Sequence, residues 1–180
     1  MRLNPAQQAT QHEIYEQAAA EYGDALARLA GGYEADPEKR RDLLQEIHLA
    51  LWRSFGGFDE RCSQRTWVYR VAHNAAISYV LRQKRARPQA MCSLEELERE
   101  PELRNSEAEA GRREQLARLT DLIHRLKPLD RQVILSYLEG LSAADIGEMT
   151  GLSAVNVATK IHRIKNILSR QFRKGERHAE

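Results

Sequence analysis

Apolar side chains recur at intervals of three and four residues along most of this 180-residue chain. That spacing brings them to one side of an α-helix, whereas half-buried strands need an alternation that the sequence rarely shows. Helices are predicted over about 12–30, 36–55, 66–85, 112–126 and 130–140, followed by two short helices in Leu141–Phe172. Gly31 and Gly32 are expected to end the first helix. The predicted fold class is all-α.

The middle of the chain differs in composition from the helical regions on either side. Glutamate predominates there over arginine, and Pro88 and Pro101 interrupt any helix. A segment of this kind stays solvated instead of forming a core. We therefore predict a flexible acidic linker over 88–111, which joins two small helical domains at 1–87 and 112–180.

A tight turn joins the two short helices of Leu141–Phe172. Ser142 and Ser153 are placed to cap them, and Gly151 stands where the turn needs a positive φ. The second helix has an apolar stripe formed by Val157, Ile161, Ile164 and Leu168. Its opposite side is polar and carries Asn156, Thr159, His162, Arg163, Asn166 and Arg170. Short polar groups followed by cations suit the base edges and phosphates of a DNA major groove. An ordinary helical hairpin with a solvated face is the alternative, and the glycine turn and the basic C-terminus favour DNA binding.

The predicted helix over 36–55 has two different sides. Its outward side carries Asp42, Gln45, Glu46, Leu49, Trp52 and Arg53. A tryptophan and a leucine among charged residues are typical of protein-binding hot spots, because an aromatic ring offers a large contact area at a small entropy cost. Alternatively, Trp52 packs beneath a neighbouring segment of the same domain. The residues alone leave both possibilities open.

Aromatic and basic residues are interleaved in the predicted helix over 66–85. Trp67 and Tyr69 lie among arginines, a combination that stacks on unpaired bases while neutralising phosphate. Aromatic residues at helical spacing also form ordinary cores, and apolar residues on two sides of this helix predict neighbours on more than one side. The pattern by itself favours a core.

Other function classes find little support in the sequence. It has no glycine-rich phosphate loop and no nucleophile beside a base, so we predict neither an enzyme nor a cofactor. Cys62 and Cys92 lack the spacing of metal ligands, which predicts free thiols and no metal site. The formal net charge is only +2, although basic residues crowd the C-terminus. Without an apolar run of spanning length or a secretory signal, the chain is expected to be soluble and cytoplasmic, with no membrane insertion.

Three stretches of the chain resemble regions of bacterial sigma factors. DLLQEIHLALWRSFGGFD (Asp42 to Asp59) is similar to the polymerase-clamp helix, RTWVYRVAHNAAISYVLRQKR (Arg65 to Arg85) to the minus-ten-element helix, and LKPLDRQVILSYLEGLSAADIGEMTGLSAVNVATKIHRIKNIL (Leu126 to Leu168) to the minus-thirty-five domain. Their order and spacing resemble the small, two-domain extracytoplasmic-function (ECF) class of the sigma-70 family. The resemblance implies an alternative sigma factor that binds core RNA polymerase and promoter DNA, directs promoter-specific transcription initiation and is held by an anti-sigma factor.

The resemblance also implies which residues make each contact. Core polymerase would be bound by Asp42, Gln45, Glu46, Leu49, Trp52 and Arg53. The minus-ten element would be contacted by Arg65, Arg70, Asn74 and Arg82, with the loop 59–64 holding a flipped base. The minus-thirty-five element would be contacted by Asn156, Thr159, Lys160, His162, Arg163 and Lys165.

Some positions depart from the family pattern. Gln64 stands where an aromatic residue is common and Ser78 where an aspartate is frequent, which bears on the shape of the base pocket. Asn156 and Ala158 replace a threonine and a cation, which predicts a distinctive minus-thirty-five sequence. Two other functions stay open, namely a sigma-like mimic that sequesters an anti-sigma factor and a conventional helix-turn-helix transcription regulator. The second would leave 42–85 unexplained.

Overall fold

The structure is a computed structural model that describes the backbone of residues 5–86, 91–99 and 112–172. Within these residues it contains no strand, which confirms the all-α fold class. The helices are α1 (Pro5–Tyr33), α2 (Pro37–Phe55), α3 (Gln64–Ala86), α4 (Leu94–Arg99), α5 (Arg112–Arg125), α6 (Pro128–Leu138), α7 (Ala143–Thr150) and α8 (Ala154–Phe172). Much of the predicted linker, 88–90 and 100–111, and the basic residues of 173–180 lie outside the described residues. The chain forms two compact units, Met1–Pro88 and Gln89–Glu180.

The first helix is longer than the sequence predicts. It continues through Gly31 and Gly32 to Tyr33, so the expectation that these glycines end it is wrong. The reason is tertiary packing, because Tyr33 is buried and its hydroxyl lies 2.9 Å from Nδ1 of His73 on α3. Arg40 then donates hydrogen bonds to the carbonyl oxygens that follow, from Nε to Glu34 at 3.2 Å and from Nη2 to Ala35 at 2.7 Å. The segment that follows the helix is thus held by a side chain of α2 instead of by a glycine turn.

The second helix begins as predicted. Oδ1 of Asp36 accepts hydrogen bonds from the backbone N–H groups of Glu38 and Lys39 at 2.9 and 3.3 Å, and Pro37 occupies the first turn. Its buried residues are Leu43, Ile47, Leu51 and Phe55. They recur every four residues and face α1 and α3, with which α2 packs. The exposed positions of the helix are left for solvent or for a partner.

The second unit is organised around α6. Pro128 opens this helix at a position where a missing N–H costs nothing, and every residue from Asp130 to Ser136 is buried. Buried polar groups need partners. The Arg131 guanidinium donates to the carbonyl oxygens of Leu126, at 3.2 Å, and of His124. Both α7 and α8 pack against α6, which holds the helix pair in place.

Helices α7 and α8 form the predicted helix-turn-helix. Ser142 and Asp145 make a reciprocal capping box at the start of α7, and Gly151 ends the helix with φ of 78°. A Cβ atom at Gly147 would lie 2.6 Å from the carbonyl oxygen of Leu152, so the turn folds back on α7 at backbone distance. Ser153 caps α8, since its Oγ accepts from the Asn156 N–H at 3.2 Å. The turn therefore brings the two helices into direct contact.

The buried stripe of α8 differs in one position from the predicted one. Val157, Ile161 and Ile164 are buried as expected, but the next buried residue is Ile167, while Leu168 is only half-buried. The shift towards Ile167 coincides with a third neighbour of α8, because α4 packs on this helix in addition to α6 and α7. This extra helix lies in the segment 88–111, for which the sequence pattern predicts no helix.

Candidate functional site

The polar side of α8 is accessible over its first turns. Asn156, Thr159 and His162 are all exposed. Nε2 of His162 lies 2.9 Å from Nδ2 of Asn166 one turn further on, and Thr159 Oγ1 donates to the carbonyl oxygen of Val155 at 2.9 Å. The helix therefore presents a ring nitrogen, an amide and a hydroxyl along one surface, which we call the α8 polar face (Asn156, Thr159, His162 and Asn166). Groups of this size can reach base edges in a major groove.

Val155 belongs to the same end of α8 and was missed by the sequence analysis. Its side chain is 74% exposed, the largest exposure among the large apolar side chains that the structure describes. An apolar residue that lies off the buried stripe of its own helix contributes nothing to the core. This mismatch was visible in the sequence and could have been used as a signal.

Two of the predicted cations on α8 have partners within the unit. Nζ of Lys160 lies 2.7 Å from Oδ1 of Asp130, whose side chain is buried, so this ion pair fastens α8 to α6. Nζ of Lys165 lies 5.3 Å from the centre of the Tyr137 ring and 3.3 Å from its hydroxyl. Lys165 is exposed and keeps access to solvent, whereas Lys160 has a structural partner. A phosphate contact by either lysine stays a prediction.

Arg163, the third predicted cation, is bound by two glutamates of α4. Its Nε and Nη2 donate to the two carboxylate oxygens of Glu98 at 2.7 and 2.8 Å, and Nη1 donates to Glu95 at 2.6 Å. The hydrogen bonds from Arg163 lower the pKa of the Glu98 carboxyl, and a backbone hydrogen bond followed by Arg163 lowers that of Glu95. The same bonds raise the pKa of Arg163. The bidentate pair is the geometry in which guanidinium binds carboxylate or phosphate most strongly.

The outward side of α2 is open in the structure. Trp52 is 38% exposed and Leu49 is 47% exposed, so neither packs fully beneath another segment of the unit. Asp42, Gln45 and Arg53 are also exposed. The predicted polymerase-binding residues thus share one helix side as expected, with the sixth, Glu46, half-exposed beside them. We call this set the α2 face.

The residues predicted to contact the minus-ten element lie along α3. Arg65, Asn74 and Arg82 are exposed, and Arg70 is half-buried. The Arg65 guanidinium lies 5.9 Å from the centre of the Tyr69 ring. A salt bridge joins Arg82 to Glu46 of the α2 face, so the two predicted surfaces of this unit meet at that pair.

The aromatic residues of α3 belong to the core more than to a stacking surface. Tyr69 is buried, and the Trp67 ring packs 5.3 Å from Phe58 while its Nε1–H donates to Ser54 Oγ at 3.0 Å. Base stacking by these two rings would require them to leave their neighbours. The core alternative therefore describes them better than the nucleic-acid alternative.

The loop between α2 and α3 has a defined shape. Glu60 adopts φ of 59°, which is uncommon for a residue with a side chain. The Asp59 carboxylate accepts from the Arg61 N–H at 3.3 Å and pairs with its Nε at 2.9 Å. Ser63 Oγ accepts from the Thr66 N–H at 3.0 Å and so starts α3. The loop 59–64 is thus held at both ends by side-chain to backbone bonds.

The described residues give no sign of metal chemistry or of a membrane span. They contain no group of three or more histidine, cysteine or acidic side chains that could bind a metal ion. Cys62 and Cys92 are free cysteines. None of the helices among these residues combines the length and the apolar character that a membrane crossing requires.

Comparison with protein families places these two units in a known group. The model described as sigma-70 region 2 matches residues 19–86, and the one described as sigma-70, region 4 matches residues 116–168. The chain belongs to the sigma-70 family. The two matches fall on the α1–α3 unit and on the α5–α8 helices of the other unit, in the order that sequence analysis expects.

Curated relatives assign this sigma factor to the ECF class. RNA polymerase sigma factor NccH of Alcaligenes xylosoxydans xylosoxydans is 26% identical over 164 residues, covering 89% of this chain and 88% of the relative. The ECF RNA polymerase sigma-E factor of Haemophilus influenzae is 28% identical over 140 residues, covering 73% of each. The ECF RNA polymerase sigma factor SigG of Mycobacterium tuberculosis is 31% identical over 150 residues, covering 71% of this chain and 40% of the relative.

Solved structures share the fold of this sigma factor. CnrH, in complex with the cytosolic domain of CnrY, superposes with a TM-score of 0.63 at 22% identity, covering 91% of this chain and 93% of that chain. The sigma factor RpoE of Bartonella quintana, in complex with the anti-sigma factor NepR, gives 0.64 at 17% identity, covering 87% and 95%. The family matches and the curated relatives identify the chain as an alternative sigma factor, a class that binds core RNA polymerase and directs transcription from promoters.

Proposed function

We propose that this sigma factor divides its work among three surfaces, the α2 face for core polymerase, α3 with the loop 59–64 for the minus-ten element, and the α8 polar face for the minus-thirty-five element. The observation that carries the proposal is the exposure of Asn156, Thr159 and His162 on the second helix of a helix-turn-helix whose other side is buried. In this arrangement the chain contributes binding energy and positioning and performs no catalytic step of its own.

Sequence reading at the minus-thirty-five element would come from the α8 polar face. An asparagine amide can pair with both the N6 and N7 groups of adenine, and a hydroxyl serves as donor or acceptor to several bases. The His162 ring nitrogen adds a group of the same reach. Exposed Lys165, one turn beyond Ile161, is placed to contact phosphate, which fixes the register of the helix without reading sequence.

Melting at the minus-ten element would use α3 and the loop 59–64. Extruding a base from the stack costs a few kcal/mol, which a pocket and phosphate contacts must offset. Exposed Asn74 offers an amide for a base edge, and Arg65 and Arg82 offer charge for the backbone. Because Trp67 and Tyr69 are engaged in packing, hydrogen bonding and charge would contribute more here than aromatic stacking.

Regulation would come from an anti-sigma factor in the cytoplasm. Both structural neighbours are bound to another protein, CnrH to the cytosolic domain of CnrY and the sigma factor RpoE to the anti-sigma factor NepR. Leu116, Leu129 and Leu138 of the second unit are exposed apolar residues that a protein partner could cover. Such a complex would keep the chain from core polymerase until a signal releases it.

Run-off transcription tests the proposed function. Core RNA polymerase from a matched bacterium is given a pool of promoter fragments with and without the full chain. New starts that share motifs at minus-ten and minus-thirty-five spacing would support the proposal and supply the promoter sequence. Core binding without new starts would contradict the promoter-reading surfaces while leaving the α2 face in place. Absence of both would favour the sigma-like mimic that sequesters an anti-sigma factor.

Val155 is expected to contact the methyl group of a thymine in the minus-thirty-five element. Burying one methyl or methylene group is worth about 0.8 kcal/mol, or about fourfold in affinity. Replacing the contacted thymine by uracil, which lacks only that methyl, should weaken binding of the unmodified chain by about this factor. In Val155→Ala the same replacement should have no effect, as measured by fluorescence anisotropy on duplexes with one uracil at a time.

The matched control for this measurement is Leu138→Ala, which removes an exposed apolar side chain from α6 instead of α8. It should keep the sensitivity to uracil. If no uracil position weakens binding of the unmodified chain, or if Val155→Ala keeps the sensitivity, Val155 does not read a methyl group.

A further inference from the structure

Helix α4 covers one flank of the recognition helix α8 with two carboxylates. We propose that α4 is an intramolecular competitor of promoter DNA, in which Glu95 and Glu98 occupy Arg163 in place of a DNA phosphate. The inference rests on the proposed role of α8 in binding the minus-thirty-five element. It adds regulation of DNA binding, since Arg163 becomes available to DNA only when α4 releases it.

The position of α4 is fixed by contacts outside the ion pair. Ser93 and Glu96 make a capping box at its start, with the Ser93 N–H donating to Glu96 at 2.6 Å and the Glu96 N–H donating to Ser93 Oγ at 3.3 Å. Just before it, the Cys92 N–H donates to the Arg125 carbonyl oxygen at 2.7 Å in an isolated bridge with Leu126. Leu94 and Leu97 are buried. The helix is therefore docked against its own unit.

The remaining side of α4 is aimed at Arg163. The spacing of Glu95 and Glu98, three residues apart, brings both carboxylates to one side of a helix. Together they accept from all three guanidinium nitrogens, through one bidentate and one single contact. The bidentate carboxylate of Glu98 offers two oxygens and one negative charge, as a phosphate diester does. These contacts use three of the five N–H donors of Arg163 and neutralise its charge, so a DNA phosphate that binds the Nε and Nη2 edge must displace Glu98.

The ion pairs lie at partly exposed positions, where replacing the glutamates by another anion costs little free energy. The side chains of Arg163 and Glu98 are each 35% exposed, and that of Glu95 is 57% exposed. Ion pairs in such positions contribute little net stability, because water and salt screen them. A promoter phosphate, presented with the strong negative potential of a duplex, can therefore displace the glutamates. Without DNA, the docked α4 lowers the attraction of this flank for any polyanion.

The test compares charge removal on α4 with the same charge removal elsewhere in the second unit. Glu95→Gln/Glu98→Gln keeps the size of both side chains and removes two negative charges. The matched control is Asp121→Asn/Glu148→Gln, which removes two negative charges from exposed positions of α5 and α7. Full-length chains are titrated with a labelled duplex that carries the minus-thirty-five element identified by run-off transcription, at several salt concentrations.

The α4 variant is expected to bind the duplex about threefold or more tightly at low salt than the control variant, with the difference shrinking as salt rises. Adding Arg163→Ala should bring it back to the level of the control. Equal affinity of the two variants would overturn the inference, as would a gain that survives Arg163→Ala. If no form of the chain binds promoter DNA, the proposed function fails and the inference fails with it, whereas binding at the control level contradicts the inference alone.

Hydrogen exchange gives a readout of α4 itself. The Leu97 N–H is bonded to the Ser93 carbonyl oxygen at 3.1 Å, and its exchange reports on the integrity of the helix. Adding the specific duplex to the unmodified chain should accelerate exchange over 94–99, while a duplex of scrambled sequence at the same salt should change it less. Unchanged or slower exchange on saturation with the specific duplex would overturn the competition between α4 and DNA.

Discussion

Trp52→Ala is expected to weaken the complex with core RNA polymerase by about 2 kcal/mol or more, which is about thirtyfold in Kd. The indole is the largest side chain of the α2 face and is already partly shielded by its own unit, since it is 38% exposed. A ring in that state loses little entropy on binding and offers a broad apolar surface beside Leu49. Charged residues around it would exclude water from the contact, as residues around a hot spot do.

The measurement is a titration of labelled core polymerase with the full chain. Gln17→Ala is the control, because Gln17 is an exposed residue of α1 and lies outside the α2 face. It should leave the affinity nearly unchanged. An affinity for Trp52→Ala equal to that of the unmodified chain would remove Trp52 from the interface. Unfolding of each variant in urea separates a binding defect from a folding defect.

Acidification between pH 7 and pH 4 is expected to destabilise the first unit by about 3 kcal/mol through His73 alone. Burial lowers the pKa of His73 to about 3, whereas a histidine in the unfolded chain titrates near 6.5. Between these values the unfolded chain binds a proton that the folded chain does not, so the free energy of unfolding falls as the pH falls. Each pKa unit in this window corresponds to about 1.4 kcal/mol.

Both tryptophans of the chain lie in the first unit, so tryptophan fluorescence during urea unfolding reports on it directly. His73→Gln keeps a polar side chain beside Tyr33 but cannot titrate, and it should show a flatter dependence of stability on pH. His12→Gln is the control, because that side chain is exposed on α1. Equal pH dependence in all three proteins, or an NMR titration that protonates the folded His73 ring near pH 6, would contradict the assignment.

Most of the fold was predictable because local chemistry and packing agree. Asp36, Ser142 and Ser153 cap the helices that they were expected to cap, and Gly151 adopts the positive φ that the turn requires. The core stripes follow the helical period. In these places a capping side chain and an apolar stripe specify the same helix, so a single sequence suffices to find it.

The sequence failed where contacts distant in the chain decide the structure. Two glycines would ordinarily end α1. The helix continues past them because Tyr33 is hydrogen-bonded to His73 and because Arg40 donates to a carbonyl oxygen just beyond the helix. The short α4 was not predicted, because its two leucines form no recurring stripe and are buried only by packing against other helices. For the same reason no pattern could show that Arg163 is bound by two glutamates of α4, more than sixty residues earlier.

The candidate surfaces were predicted in outline and differ in detail. The α2 face and the α8 polar face are exposed as expected, and their roles in binding stay predictions. Buried Tyr69 and packed Trp67 belong to the core, which periodicity favoured over base stacking. The exposure of Val155 was not predicted, although this residue lies outside the apolar stripe of α8.

The separation of buried and exposed sides on α8 has a consequence for engineering. The stripe that anchors the helix includes Val157 and Ile161, while Asn156, Thr159 and His162 touch little of the folded unit. Substitutions at surface positions of this kind usually change stability by less than about 0.5 kcal/mol. On the proposed role of α8, a library that varies these three residues is expected to alter promoter choice while keeping the scaffold, which would allow α8 to be exchanged between otherwise identical sigma factors.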